Sequence, residues 1–319
     1  MAYLLLLIGI ILLIKGADFF VKGSSGIAKL LRVPPMLIGL TIVAFGTSSP
    51  EAAVSINASL KDISGIALGN VLGSNIFNIA FIVGLTALIA PLTVEKQTIR
   101  KEIPFTLLAS IALIIMISDR TLQSINLNLV TRADGLILLL FFSIFLYYLF
   151  EMAKNSREKA MSEEEIPTNS YSMGINGIFA IGGLIGIIVG ANLVVKGSTS
   201  IALQLGMSET LVGLTIVAVG TSLPELITSI TAALKKESEI AIGNIVGSNI
   251  FNILFILGIA ATIKPLTVDD KFLLDAFIMI LYTFVLFIFS TTCQKITRIE
   301  GIALFLSYIV YLTYIILRN

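Results

Sequence analysis

The sequence predicts an all-α integral membrane protein of ten spanning helices, arranged as two inverted five-helix repeats. Three observations carry that prediction. Of 319 residues, 56% are hydrophobic and 13% charged, and the mean hydropathy is +1.00, too apolar for a chain that must face water on most sides. Apolar windows of the ~20 residues that a bilayer core requires fall into ten segments. A long stretch from Gly39 to Asn78 also recurs, without a gap, from Gly213 to Asn252.

The spans are read at 2–26, 36–60, 63–91, 100–118, 133–152, 174–200, 210–234, 238–263, 271–292 and 298–317. The first, opening MAYLLLLIGIILLIKGADFF, lacks a basic leader and runs past any small-residue cleavage site, so it reads as a helix rather than a signal peptide, with no long polar extension beside it. The run AKNSREKAMSEEEIPTNSYSMG is the one sizeable linker. It divides the chain into repeats at 1–152 and 174–319, joined at 153–173, where Glu163, Glu164 and Glu165 are expected to be solvated.

Basic residues set the orientation. Loops after odd-numbered spans hold Lys29, Arg32, Lys96, Arg100, Lys101, Lys154, Arg157, Lys159, Lys235, Lys236, Lys295 and Arg298, against Lys61, Arg120, Arg132, Lys264, Lys271 and Arg318 on the other side. The linker is therefore expected to be cytoplasmic and both termini outside. With an odd number of spans per half, the second copy enters the membrane upside down, and the two copies of a motif meet near the midplane about a pseudo-two-fold axis, where secondary transporters hold their substrate.

The duplication extends further. GADFFVKGSS from Gly16 matches GANLVVKGST from Gly190, and PLTV occurs at Pro91 and Pro265. Gly9, Gly16 and Gly23 answer to Gly183, Gly190 and Gly197; a spacing of seven places each set on one helix face and permits close approach. Ordinary packing is the preferred reading over a smooth sliding surface. Lys15, Asp18 and Lys22 beside them are read as a solvated or snorkelling edge.

The chemistry sits in the repeated stretch. Gly46-Thr47-Ser48-Ser49-Pro50-Glu51 interrupts an apolar span. Pro50 lacks an N–H and crowds the carbonyl four residues back, so the backbone near Gly46 is expected to be irregular and to free carbonyl oxygens. Lipid would not tolerate this, but a protein cavity does. Ser49-Pro50-Glu51 also reads as a helix restart with a hydroxyl cap, proline in the first turn and an acid favoured by the dipole. The second copy has Leu223 at the cap position, so capping is not the shared purpose, whereas Thr-Ser-x-Pro-Glu is.

Thr47 and Ser48 fall four and three residues from Glu51, on one helical face, and Ser74 and Asn78 do the same on the next span. The second repeat supplies Thr221, Ser222, Glu225, Ser248 and Asn252. All are oxygen donors, a set suited to hard cations. One buried acid, at about +3 kcal/mol, can be carried by apolar neighbours. Two at equivalent positions with the same hydroxyl escort are better explained as binding groups. Each hydroxyl alone could bond back to its own helix; as a constellation, ligation is preferred.

GTSxPE followed by GNxxGSNIFN, present twice, resembles the α-repeats of the cation/calcium exchanger superfamily, and most of all the prokaryotic sodium/calcium exchangers. The resemblance covers the whole ten-helix body. It implies the sodium/calcium exchanger fold, with broken helices 2, 3, 7 and 8 at the core and helices 1 and 6 moving across them, in a prokaryotic plasma membrane. It also implies Glu51, Glu225, Thr47 and Thr221 as ligands of Ca²⁺ and Na⁺. Ser48, Ser222, Ser74 and Ser248 with the carbonyls of Ala44 and Ala218 are implied as Na⁺ ligands, and Asn78 and Asn252 as the polar core between. Several relatives, potassium-dependent ones included, carry aspartate where this chain has Asn252, which argues against potassium co-transport; the neutral amide still offers an oxygen. The linker is too short for the calcium-sensing domain of animal exchangers.

The expected function is exchange of Na⁺ for Ca²⁺ by alternating access, with a single chain sufficing and no cofactor. H⁺/Ca²⁺ exchange is the alternative. A cation channel would need a continuous pore, commonly an oligomeric ring. A net charge of +1 gives nucleic acid no electrostatic footing. No histidine and a single cysteine, Cys293, remove Ser-His and Cys-His nucleophile pairs, so the chain is not read as an enzyme.

Overall fold

The structure is a computed structural model, and it describes residues 2–122, 124, 126–162, 172–206, 218–292 and 294–318. Glu163 to Glu165, Cys293 and the first part of the seventh expected span lie outside the described residues. Among the described residues fourteen helices follow in chain order. The first half of the chain holds α1 (Ala2–Leu31), α2 (Pro35–Thr47), α3 (Ser49–Leu60), α4 (Ser64–Ile89), α5 (Lys96–Arg100), α6 (Glu102–Met116), α7 (Asp119–Leu122) and α8 (Arg132–Ser162). The second holds α9 (Met173–Gln204), α10 (Ala218–Thr221), α11 (Leu223–Leu234), α12 (Ser238–Ile263), α13 (Asp270–Thr291) and α14 (Arg298–Arg318).

Among the described residues seven helices are long and apolar enough to cross a membrane, or eight when the bent pair α2 and α3 is taken as one span. The fourth expected span falls short for a local reason. Pro104 cannot donate to the carbonyl of Arg100 and its ring crowds that oxygen, so the chain kinks at Lys101 (φ −128°, ψ −61°) and α6 keeps only 15 residues. Leucine, isoleucine and phenylalanine side chains cover the outside: Leu7, Phe150, Ile178, Leu281 and Val310 are all more than half exposed, as a lipid-facing surface requires. The protein is a multi-pass membrane protein.

The glycine sets of α1 and α9 meet each other. A Cβ added to Gly16 would lie 2.8 Å from the Gly183 carbonyl oxygen, and one added to Gly190 2.7 Å from Leu13 N. The helices run antiparallel, backbone to backbone, along almost their full length, so the close-packing expectation holds.

Two short ribbons depart from the all-α expectation. Both PLTV segments become strands, because Pro91 and Pro265 stop the preceding helices and β-branched residues follow. Strand β1 (Leu92–Thr93) pairs antiparallel with β4 (Lys295–Ile296), and β2 (Asn128–Val130) with β3 (Leu266–Val268). Each ribbon joins one repeat to the other.

Replacing Gly16 by Leu is expected to push α1 off α9 and cost about 1–3 kcal/mol. This is checked as a lowered unfolding midpoint in detergent. Gly182→Leu on α9, where nothing lies within 4 Å, is expected to leave the midpoint unchanged; matching midpoints in both variants would contradict the packing.

Candidate cation site at the repeat axis

The site is built where both GTSxPE helices break. In the first repeat, α2 loosens into a π turn at Gly39–Val43 and ends at Thr47; Ser48 leaves helical geometry (φ −79°, ψ 5°), and α3 departs at 49° to α2. In the second, Ser222 does the same between α10 and α11 (φ −92°, ψ 7°). The break thus centres on Ser48 rather than Gly46. It also overturns the capping expectation. Ser48, not Ser49, occupies the N-cap position, and neither it nor Ser222 caps with its side chain. Ser49 turns its hydroxyl back to the Phe45 carbonyl (3.0 Å).

The cap hydroxyls are used across the axis instead. Ser48 donates to Glu225 Oε1 at 3.0 Å, and Ser222 donates to Glu51 Oε1 at 2.9 Å, with Ser74 Oγ 3.3 Å away. Ser48 was expected to share a face with Glu51 of its own repeat; the kink at Ser48 sends it to Glu225. Both carboxylates are 1% exposed, and among the described residues neither has a Lys or Arg partner. In each the second oxygen, Oε2, is buried with no hydrogen-bond partner. Ser248 Oγ is likewise buried and unpartnered.

Thr47 is fully buried and donates to Asn244 Oδ1 (2.9 Å), with the Val43 carbonyl also within reach at 3.1 Å. Its counterpart Thr221 also has a polar partner. Ala44 accepts the Ser48 amide (3.0 Å), and in the second copy the Ser222 amide donates to the Val219 carbonyl (3.2 Å).

Helices α4 and α12 run unbroken, in contrast to the implied breaks, and their irregularity is a π turn at Phe77–Ile82 and at Phe251–Ile256. Such turns cluster at functional sites because they re-aim side chains without ending a helix. Asn78 and Asn252 sit in them and reach over the axis: Asn78 Nδ2 donates to Asn249 Oδ1 and Asn252 Nδ2 to Asn75 Oδ1, each at 3.0 Å. Asn75 and Asn249 in turn donate to each other's main-chain carbonyls (3.4 Å each). The amide oxygens of Asn78 and Asn252 remain buried without a partner.

Three residue pairs of this site went unassigned in the sequence. Besides Asn75 and Asn249, Asn70 donates to Ser55 Oγ (2.8 Å) and to the Glu51 carbonyl (3.1 Å), and Asn244 repeats this with Ser229 (2.9 Å) and Glu225 (3.4 Å). These amides fix the first turn of α3 and α11 and so aim the carboxylates. Their signal was present: all six are polar residues kept identical in both copies of the stretch.

Among the described residues five buried oxygens of the assigned site therefore remain without partners: two carboxylate, two amide and one hydroxyl. Among the described residues no group of three or more His, Cys, Asp or Glu converges, so a bound cation would draw the rest of its shell from neutral oxygens. Asp18 and Lys22 lie apart from it, Asp18 paired with Lys235 (2.7 Å) and Lys22 over the Phe179 ring (5.1 Å).

A family model described as sodium/calcium exchanger protein matches residues 1–151 and 176–317. Among curated proteins, the chain is 38% identical over 320 residues to a putative antiporter, CaxA, of Alkalimonas amylolytica, covering 97% of each. It is 35% identical over 339 residues to the sodium/calcium exchanger MaX1 of Methanosarcina acetivorans, again covering 97% of each. Among solved structures, the sodium-calcium exchanger NCX_Mj soaked with Na⁺ and Sr²⁺ matches with a TM-score of 0.83 at 35% identity, over 98% of this chain and 97% of that one. With that model spanning most of both repeats, the chain belongs to the sodium/calcium exchanger protein family.

Proposed function

We propose that the protein is a Na⁺/Ca²⁺ antiporter that works by alternating access and does not require potassium. The observation that carries this reading is the pair of crossed carboxylates, each held through one oxygen by the other repeat's serine and each with its second oxygen buried and unpartnered. Two buried negative charges without cationic partners cost several kcal/mol each. One Ca²⁺, or several Na⁺, removes that cost; an empty site does not, so occlusion is favoured only when loaded. Exchange rather than leak follows.

In this reading Glu51, Glu225, Thr47 and Thr221 hold Ca²⁺ or Na⁺. Ser48, Ser222, Ser74, Ser248 and the carbonyls of Ala44 and Ala218 complete Na⁺ sites, and Asn78 and Asn252 form the neutral centre. The names of MaX1 and NCX_Mj, and the Na⁺, Ca²⁺ and Sr²⁺ soaks of the latter, support these substrates. The chain forms ten spans in two inverted five-helix repeats, with both termini outside a prokaryotic plasma membrane, and acts as a single chain. The α1 and α9 pair moves across the core. The lack of basic partners for the two acids among the described residues also suits protons as the counter-ion, which keeps H⁺/Ca²⁺ exchange as the second reading.

Purified protein in Na⁺-loaded proteoliposomes is expected to take up calcium when diluted into Na⁺-free medium, unchanged by added K⁺. Glu51→Gln and Glu225→Gln are each expected to lower that uptake by about two orders of magnitude, the scale of a lost charged ligand in a dry site. Uptake that ignores the Na⁺ gradient and follows a pH gradient would select the proton reading, and native rates in both variants would end the site assignment.

Ser48→Ala and Ser222→Ala each remove a hydrogen bond to a buried carboxylate, worth about 1.5–3 kcal/mol. Each is expected to weaken apparent Na⁺ affinity by roughly 10- to 100-fold, and both alike if the axis is functional. A change confined to one of the two would show that the repeats do not share the site.

A further inference from the structure

The inverted repeats are alike at the axis but unlike at their ends. Helix α1 packs along α11, while α9, its counterpart, makes no comparable packing against α3, the counterpart of α11. One end of the moving pair is thus closed against the core. The contacts that close it are polar. Lys235, in the turn after α11, forms an ion pair with Asp18 Oδ1 (2.7 Å) and also donates to the Asp18 carbonyl (3.1 Å). Two residues on, Glu237 Oε1 accepts the hydroxyl of Ser25 at 2.6 Å. Asp18 and Ser25 stand two turns apart on α1, so the turn grips one side of that helix at two heights.

The same positions in the other repeat make none of these contacts among the described residues. Asp18 is answered by Asn192, which bonds back to its own helix at Ile188 (3.0 Å), and Glu237 by Ile63, which has no polar side chain. Lys61 answers Lys235 and has no ion-pair partner among the described residues. Thr199 answers Ser25, and its hydroxyl is buried without a hydrogen-bond partner. The neighbouring Asp62 is engaged elsewhere, with Lys264 (2.8 Å).

We infer that Asp18–Lys235 and Ser25–Glu237 form a one-sided latch that holds the α1/α9 pair against the core at this end and biases the protein toward the arrangement seen here. The inference rests on the alternating-access reading, in which α1 and α9 move as one body. Their backbone-to-backbone glycine contact makes them rigid enough to be held through α1 alone. The latch is made to open. Asp18 and Lys235 side chains are 48% and 31% exposed, so water solvates both as they part. Because the described residues form no mirror-image latch at the opposite end, the inward and outward arrangements are unequal by the worth of these contacts.

The test is a distance measurement by pulsed electron paramagnetic resonance in lipid nanodiscs, with spin labels on cysteines at Leu31 and Leu234 in a Cys293→Ser background. The native latch is expected to give one dominant distance. Asp18→Asn with Glu237→Gln is expected to raise the longer-distance population about tenfold, the worth of one exposed ion pair plus one charged hydrogen bond. Asn192→Ala, at the mirror position, is expected to leave the distribution as it was. The exchange Asp18→Lys with Lys235→Asp is expected to restore the dominant distance, which a merely misfolded variant could not do. An unaltered distribution in the Asn/Gln variant, in protein that still exchanges Na⁺ for calcium, overturns the latch. A shifted distribution in protein that exchanges neither ion leaves the latch standing and removes the transport reading instead.

Discussion

Two buried acids that no basic residue among the described ones meets are the constraint around which the molecule is arranged. A carboxylate in a dry interior is tolerated only when its oxygens are met. Here each is met halfway, by a serine from the opposite repeat. That crossing requires the two kinks to face each other, and the kinks require Pro50 and Pro224 to stop the helices from running on. The amides of Asn70 and Asn244 then hold the first turns after the kinks, and the four axial asparagines tie α4 to α12. Remove the crossing, and the surrounding polar framework has nothing to position.

Much of this could be read from the chain because the duplication is so regular. A polar residue retained twice in an apolar setting is a signal that single-copy reading lacks, and it located Glu51, Glu225, the four serines and both terminal asparagines. The same signal covered Asn70, Asn244, Asn75 and Asn249, which were left unassigned because each looks like ordinary helix sequence until its partner is seen. What the chain could not show was where the kink falls. Ser48 and Ser49 are the same residue type, and only the backbone geometry decides that the first takes the N-cap position and turns its hydroxyl to Glu225 while the second turns back on Phe45. Nor could spacing along one helix show that Ser48 serves the acid of the other repeat, since that bond exists only after the halves close on each other.

The irregular backbone follows a single rule. Kinks at Ser48 and Ser222 and π turns after Ile76 and Ile250 all fall inside the protein, where other helices meet the polar groups they expose. The lipid-facing helices α8, α13 and α14 carry no such turns. Lys101 marks the one kink set by Pro104, and there the buried Glu102 is stapled to Tyr148 on α8. Regular helices form the wall, and distorted ones form the site.

The two ribbons also bear on how the molecule comes to be made. Strand β1 lies in the first third of the chain, yet its partner β4 immediately precedes the last helix; β2 likewise waits for β3. The N-terminal repeat therefore leaves the ribosome with two open strand edges that only later-synthesised residues can close. Contacts so distant along the chain slow assembly, and an open edge invites pairing with the wrong chain. Each edge is two or three residues long and bounded by proline or by a helix, which leaves little for a stranger to join. Half of this protein is thus an incomplete object by construction, finished only when the second copy of its sequence arrives beside it.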